Sequence, residues 1–162
     1  MDKYEGKLTK PYDAAIFVYE VLRKLGSGKI DTFSNRFLSQ KTQYFAQIFG
    51  VAPSYHFNLY IRGPYSPALT QDLFAIHEIG RAYQKKRFVS DELEERLKLL
   101  KDFLKDKEPR QLEVIATLHW LLKVAGLSFA DAKKKITQLK KTTDAEFHQA
   151  FKNIQVIKQQ IK

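Results

Sequence analysis

The chain has 162 residues, 44% of them hydrophobic and 13% aromatic, which is long enough and apolar enough to bury a core in one domain. It contains no cysteine, so disulfides, thiolate catalysis and cysteine-ligated zinc are excluded. Its formal net charge of +10 attracts polyanions such as nucleic acid, an acidic protein or anionic lipid. The alternative is that lysine-rich helix faces only keep the protein in solution.

No segment is typical of membrane insertion or export. The N-terminal residues lack the apolar region of a secretory signal, and no run approaches the ~20 apolar residues that cross a bilayer. We therefore expect a cytoplasmic protein without a membrane partner. No stretch is long or polar enough for an interdomain linker, which predicts one domain over residues 1–162.

Helices and one strand are predicted in the first half of the chain. The first helix covers residues 12–25, and the second begins at Thr32 or Ser34 and ends at Gly50. Residues 55–62 alternate in polarity, which predicts a strand whose apolar face carries Tyr55, Phe57, Leu59 and Ile61.

The strand is followed by turn and helix signals. Gly63 and Pro64 are typical of a turn, Ser66 of a helix N-cap and Pro67 of the first helical position, so a third helix should reach about residue 77. Residues 85–89 are the candidate partner of the strand in a short ribbon.

Four more helices are predicted toward the C-terminus. They begin at Ser90, at Pro109, at an N-cap formed by Ser128, and at a capping box formed by Thr143 and Glu146. The predicted fold is mainly α, a single compact multi-helix domain with one short strand or β-ribbon inserted. The order helix, helix, strand also allows a winged-helix-like element.

The sequence carries no specific catalytic motif. The four histidines (His56, His77, His119 and His148) include no pair at the i, i+4 spacing of a helical metal site. No glycine-rich phosphate loop and no Gly-x-Ser-x-Gly elbow are present. We expect no enzyme, no metal and no cofactor, and the alternative is a nuclease whose scattered carboxylates meet only in the fold.

Two groups of residues are candidate binding positions. Arg62, Gly63, Pro64 and Tyr65 precede the N-terminus of the third helix, which could hold an anion or an acidic side chain. The alternative is a corner that only shapes the fold, with Tyr65 in the core. In the second helix, Lys41 shares a face with aromatic residues, so its ammonium should reach water past the rings, or else meet Asp72.

A pattern that includes both groups resembles a known family. The segment from Leu38-Ser39-Gln40-Lys41 through Tyr44 and Gly63-Pro64-Tyr65 to Asp72-Leu73 resembles the YwgA-like uncharacterised proteins and, more distantly, the SocA-type Panacea antitoxin domain. The resemblance covers about residues 34–80. It implies a compact helical domain without established catalysis that binds a protein partner such as a toxin. The residues that match are Gln40, Lys41, Tyr44, Gly63, Pro64, Tyr65, Asp72 and Leu73.

The leading hypothesis is a non-catalytic protein-interaction module, antitoxin-like or regulatory. The alternative is a nucleic-acid-binding protein, because residues 123–162 hold nine lysines against three acids. The candidate contacts are Lys133, Lys134, Lys135, Lys140 and Lys141. This segment has no arginine, which favours non-specific phosphate contacts over base reading.

Overall fold

The computed structural model describes residues 21–25, 32–51, 55–79 and 91–161. In these ranges the protein is mainly helical and contains one small antiparallel sheet, as predicted. The helices are α1 (Phe33–Ile48), α2 (Pro67–Ile79), α3 (Asp91–Leu104), α4 (Pro109–His119), α5 (Phe129–Lys140) and α6 (Asp144–Gln160). The strands are β1 (Asn58–Tyr60) and β2 (Gly63–Tyr65), and a π-helical turn covers Trp120–Val124.

The chain forms two compact units. Unit 1 is drawn from residues 1–56 and 66–105, and unit 2 from residues 57–65 and 106–162. The prediction of one domain over residues 1–162 stays a prediction. Most of the first predicted helix and the proposed partner strand 85–89 lie outside the described residues, while residues 21–24 are helical.

Helix α1 runs through the core of unit 1 and contacts both α2 and α3. Its N-cap is Thr32, whose hydroxyl accepts a hydrogen bond from the Asn35 N–H at 3.1 Å. Phe45 and Phe49 both lie against Phe103 of α3, with ring centroids 5.2 and 5.7 Å apart. All eight residues 39–46 are buried, so the middle of this helix is enclosed on every side.

Unit 2 is built around α4, which contacts α5, α6 and β2. The helix starts are the predicted ones. The Ser128 hydroxyl accepts from the Asp131 N–H, and Thr143 and Glu146 form the predicted capping box. The buried apolar residues of its helices include Leu112, Ile115, Leu118, Leu121, Ala132, Ile136, Phe147, Ala150, Ile154 and Ile157.

The predicted strand over residues 55–62 is wrong in length, and its predicted pairing with residues 85–89 stays a prediction. Its strand part is limited to β1, which pairs with β2 through Tyr60↔Gly63, Leu59↔Pro64 and Asn58↔Tyr65. Gly63 and Pro64 therefore lie in a strand and not in a turn. Proline occurs in sheets at positions whose N–H is not needed for the ladder, and among the described residues the sheet has only two strands.

The hairpin turn consists of Ile61 and Arg62. Neither residue has a positive φ, so the turn is not one of the primed two-residue types. Gly63 has the positive value instead, at 98°, which residues with a side chain rarely adopt. Gly63, which suggested a turn in the sequence, therefore lies one residue after the turn. The turn still requires a glycine there, because the backbone has a positive φ at that position.

Candidate functional site

Gln40 connects α1 to the N-terminus of α2. Its side-chain N–H₂ donates to the Ser66 carbonyl at 3.0 Å and to the Thr70 hydroxyl at 2.9 Å, while its carbonyl accepts from the Ser66 N–H at 3.0 Å. Ser66 is the N-cap predicted from the sequence, since its hydroxyl accepts from the Leu69 N–H at 3.3 Å. Gln40 is only 2% exposed, so this candidate binding residue lies inside unit 1 and holds the start of α2.

Gln47 makes the same kind of contact two helical turns further along α1. It accepts from the Tyr55 N–H at 2.8 Å and donates to the Tyr55 carbonyl at 3.0 Å. The Tyr55 hydroxyl donates to the carboxylate of Asp72, another candidate binding residue. The two glutamines therefore bond the backbone on either side of the hairpin, at Tyr55 before it and at Ser66 after it.

Lys41 does not reach water, and the prediction that it does is wrong. It is 2% exposed, with its ammonium nitrogen 4.6 Å from the centroid of the Phe37 ring. Its neighbours at residues 39–46 are buried as well, so Lys41 lies in the enclosed middle of α1. Tyr44 is buried beside Phe45, and burial raises the pKa of its hydroxyl above the usual value.

The hairpin carries the other candidate binding residues, and its two faces differ. Leu59 and Pro64, which pair across the strands, are half-buried and buried. On the opposite face the rings of Tyr60 and Tyr65 meet edge to face, with centroids 5.2 Å apart. Gly63 lies directly opposite Tyr60 and has no side chain, so the Tyr60 ring can reach Tyr65.

Two long polar side chains of unit 2 hold the hairpin backbone. The Trp120 indole N–H donates to the Phe57 carbonyl at 3.1 Å, just before β1. The Lys140 ammonium donates to the Ile61 carbonyl in the turn and forms an ion pair with Glu113 at 2.6 Å. Lys140 is 7% exposed, so its prediction as a phosphate contact is wrong: its charge is used inside the unit.

Residues 60–62 form an exposed hairpin tip on this fixed backbone. Ile61 is 92% exposed, more than any other large apolar residue in the described part of the chain, and Tyr60 is 49% exposed. Arg62 is exposed as well. Sequence reasoning placed Ile61 on the apolar face of a strand. The alternating pattern continues through residue 62, so it does not reveal that the strand ends at Tyr60 and that Ile61 belongs to the turn.

The remaining candidate lysines differ in their surroundings. Lys133 pairs with Asp144 at 3.5 Å, and its ammonium lies 5.4 Å from the Phe147 ring centroid. Lys134, Lys135 and Lys141 are exposed. Successive helical residues point about 100° apart, so the side chains of Lys134 and Lys135 diverge on the exposed surface of α5. Lys141 ends α5 in the left-handed conformation, with φ at 50°.

A shallow groove of about 330 Å³ lies between α4 and α6. Its floor is apolar, and its rim carries Gln111, Glu146, Gln149 and Asn153. The Glu146 carboxylate accepts from the Thr143 N–H at 3.2 Å and from Arg110 at 3.3 Å. Both contacts lower the pKa of Glu146, and the hydrogen bond from the Thr143 backbone has the larger effect. The rim therefore carries an ionised carboxylate that is already paired.

His119 is half-buried at the end of α4. Burial, and then the neighbouring Lys123, lower its pKa to about 4, so the imidazole is neutral at pH 7. Within the described ranges, no three His, Cys, Asp or Glu side chains form a group that could hold a metal ion. The described helices also include none with the length and hydropathy of a membrane span.

No protein-family model, no curated protein and no solved structure matches this chain. The resemblance to YwgA-like and Panacea proteins therefore stays a prediction that rests on residues 34–80.

Proposed function

We propose that the protein is a non-catalytic protein-interaction module and that the hairpin tip is its contact element. The observation that carries the proposal is the exposure of Ile61 at 92% on a backbone bonded to a buried lysine. In the free protein this isoleucine side chain stays in water. The favourable free energy of burying it is gained only when another molecule covers it.

The way in which the hairpin is held supports binding by a preformed element. Trp120 and Lys140 fix the backbone at Phe57 and at Ile61, and the Tyr60 ring is already ordered against Tyr65. Ordering a loop or side chain on association costs about 0.5–1.5 kcal/mol per group, and this cost is lower where the group is ordered beforehand. Tyrosine and arginine are also the residue types that dominate binding energies at protein interfaces.

Site-specific photocrosslinking in the cells that produce the protein would test the proposal. A photoreactive amino acid would replace Ile61 in the full chain, and a matched variant would carry it at Leu139, which is also apolar and exposed in unit 2. We expect a discrete adduct with a second protein from position 61 and none from position 139. Equal labelling at both positions, or no protein adduct at position 61, would overturn the proposal.

A further inference from the structure

The register of the hairpin determines which backbone groups of β1 point away from β2. In an antiparallel pair, opposite residues either exchange two hydrogen bonds or turn their N–H and C=O groups outward, and the two kinds of pair alternate. Pro64 lies opposite Leu59 and has no N–H, so these two residues cannot exchange two bonds. Their pair is of the outward kind. The N–H and the carbonyl of Leu59 therefore point to the outer edge of β1.

The outer edge of β1 is open at Leu59. Within the described ranges, no backbone or side-chain group bonds the Leu59 N–H or carbonyl. Its neighbours in the strand, Asn58 and Tyr60, are exposed, so another molecule can reach this edge. β2 differs, because Gly63 and Pro64 are buried and the strand contacts α4. Of the two strands, β1 is the one with an accessible edge.

The open edge is short and carries no charge. Before β1, the Phe57 carbonyl already accepts from the Trp120 indole N–H. After β1, the Ile61 carbonyl accepts from the Lys140 ammonium. A further strand would therefore find its main-chain bonds at the one residue between them. Residues 57–61 contain no charged residue and no proline, which are the residue types that usually protect an exposed strand edge from pairing.

We infer that the partner protein binds by adding an extended, uncharged segment to the outer edge of β1. One residue of the segment exchanges two hydrogen bonds with Leu59, and apolar side chains beside it cover Ile61, which follows β1 directly and is 92% exposed. The main-chain bonds fix the register of the segment, and the burial of Ile61 adds hydrophobic free energy. This inference rests on the proposed function and adds the form in which the partner is recognised.

Extended backbone of a different protein is the occupant that fits Leu59. A neighbouring strand presents one acceptor and one donor at the spacing of the N–H and carbonyl of a single residue. The backbone groups inside a helix are bonded to each other, and a DNA backbone offers phosphate acceptors without a donor for the carbonyl. A second copy of the chain could pair β1 with β1, but this would bring together two molecules of net charge +10.

Random displayed peptides, selected on the immobilised full-length chain, provide the probe for this edge. Each selected peptide would be measured against a chain in which Leu59 is replaced by its α-hydroxy analogue, so that an ester oxygen takes the place of the N–H and the side chain is kept. The matched control carries the same replacement at Ala145, which is exposed in the first turn of α6, where a helix N–H has no partner within the helix. Ile61→Ser reports on the tip, and melting curves would establish that all three chains fold.

We expect the ester at Leu59 to weaken peptide binding about tenfold, which corresponds to the loss of one hydrogen bond, and the ester at Ala145 to leave it unchanged. Ile61→Ser should weaken the same peptides. Hydrogen exchange of the Leu59 amide should be fast in the free chain and slow in the complex, whereas the Tyr60 amide, which points to Gly63, should be slow in both.

Three results would overturn the inference. Peptides that require Ile61 but bind the Leu59 ester chain unchanged would refute strand addition and leave the proposed function standing. Slow exchange of the Leu59 amide in the free monomer would mean that the edge is already covered. A dimer of the chain that the Leu59 ester dissociates would make a second copy the occupant. Selected peptides that neither the ester nor Ile61→Ser weakens would contradict both the inference and the proposed function.

Discussion

Gln40 and Gln47 use the same side-chain amide geometry on backbone partners of different burial. Gln40 and Ser66 are both buried, whereas Gln47 and Tyr55 are half-buried and can exchange a lost bond for one with water. The two residues lie on one helix seven positions apart. They therefore form a matched pair for measuring what enclosure adds to a hydrogen bond.

Gln40→Met should lower the free energy of unfolding by about 2 kcal/mol, because it leaves the buried Ser66 N–H without a partner, while the Ser66 carbonyl still accepts from the Thr70 N–H at 3.2 Å. Gln47→Met should cost only about 1 kcal/mol. Urea denaturation of both variants measures the difference. Equal losses would mean that the Ser66 contact is not enclosed as described.

His119 predicts a dependence of stability on pH. Its pKa is about 4 in the folded protein, below the ordinary value near 6.5, so the unfolded chain binds a proton that the folded chain excludes. The stability contributed by the neutral imidazole is complete above pH 6.5 and is lost as the pH falls toward 4. The loss should approach about 3 kcal/mol, at 1.36 kcal/mol per pH unit.

Chemical denaturation at pH 7 and at pH 4.5 checks this expectation. His119→Gln should remove most of the acid-induced loss, while the control His148→Gln, at an exposed position, should leave it in place. The explanation is wrong if the His119→Gln variant loses as much stability in acid as the original chain.

At the scale of elements, the helix starts are local and the sequence predicts them well. Thr32, Ser66, Ser128 and Thr143 each cap a helix through a bond to a residue three positions away. No distant contact is needed to form such a cap. The sequence left only one start open, between Thr32 and Ser34, and the hydroxyl bonded to the Asn35 N–H is that of Thr32.

This start can be checked by two substitutions. Thr32→Ala should destabilise the protein by about 1 kcal/mol, because α1 loses its capping acceptor. Ser34→Ala lies within the first turn and should change the stability by less than about 0.5 kcal/mol, since alanine is the better helix former. Thermal melting of the two variants shows which residue caps α1. A larger loss of stability in Ser34→Ala than in Thr32→Ala would mean that Thr32 is not the N-cap.

The hairpin is the element that sequence reasoning placed least well, because its contacts are remote. The Lys140 ammonium reaches a carbonyl 79 positions earlier in the chain and a carboxylate 27 positions earlier. A lysine at the end of a charged helix is ordinarily exposed, and no local pattern distinguishes this one. The same holds for Lys41, whose burial depends on the elements packed around α1.

The ion pair between Lys140 and Glu113 should contribute more to the position of the hairpin than to the stability of the protein. Lys140→Met leaves the Glu113 carboxylate without its counter-charge and should cost about 3–5 kcal/mol, whereas Glu113→Leu combined with Lys140→Met should cost clearly less. Amide hydrogen exchange of residues 58–65 should nevertheless be faster in the double variant, since the turn carbonyl has lost its donor. A double variant as unstable as Lys140→Met would contradict this.

At the scale of the whole molecule, composition and patterning predicted the mainly helical class, while the two compact units were not foreseen. No polar linker marks the changes from one unit to the other, because they fall at residues 56–57, 65–66 and 105–106, beside or between regular elements. The uneven charge was visible in the sequence. The structure places much of the surplus in the unit that carries the hairpin.

The central claim is that the hairpin tip is both exposed and ordered before any partner binds. Backbone ¹⁵N relaxation of the free, full-length protein measures this at the amides of Ile61 and Arg62, with α4 as the rigid reference. The account predicts order parameters of about 0.85 at the tip, equal to those of α4. Values below about 0.6 at Ile61 and Arg62, with α4 rigid, would mean a mobile loop and would contradict it.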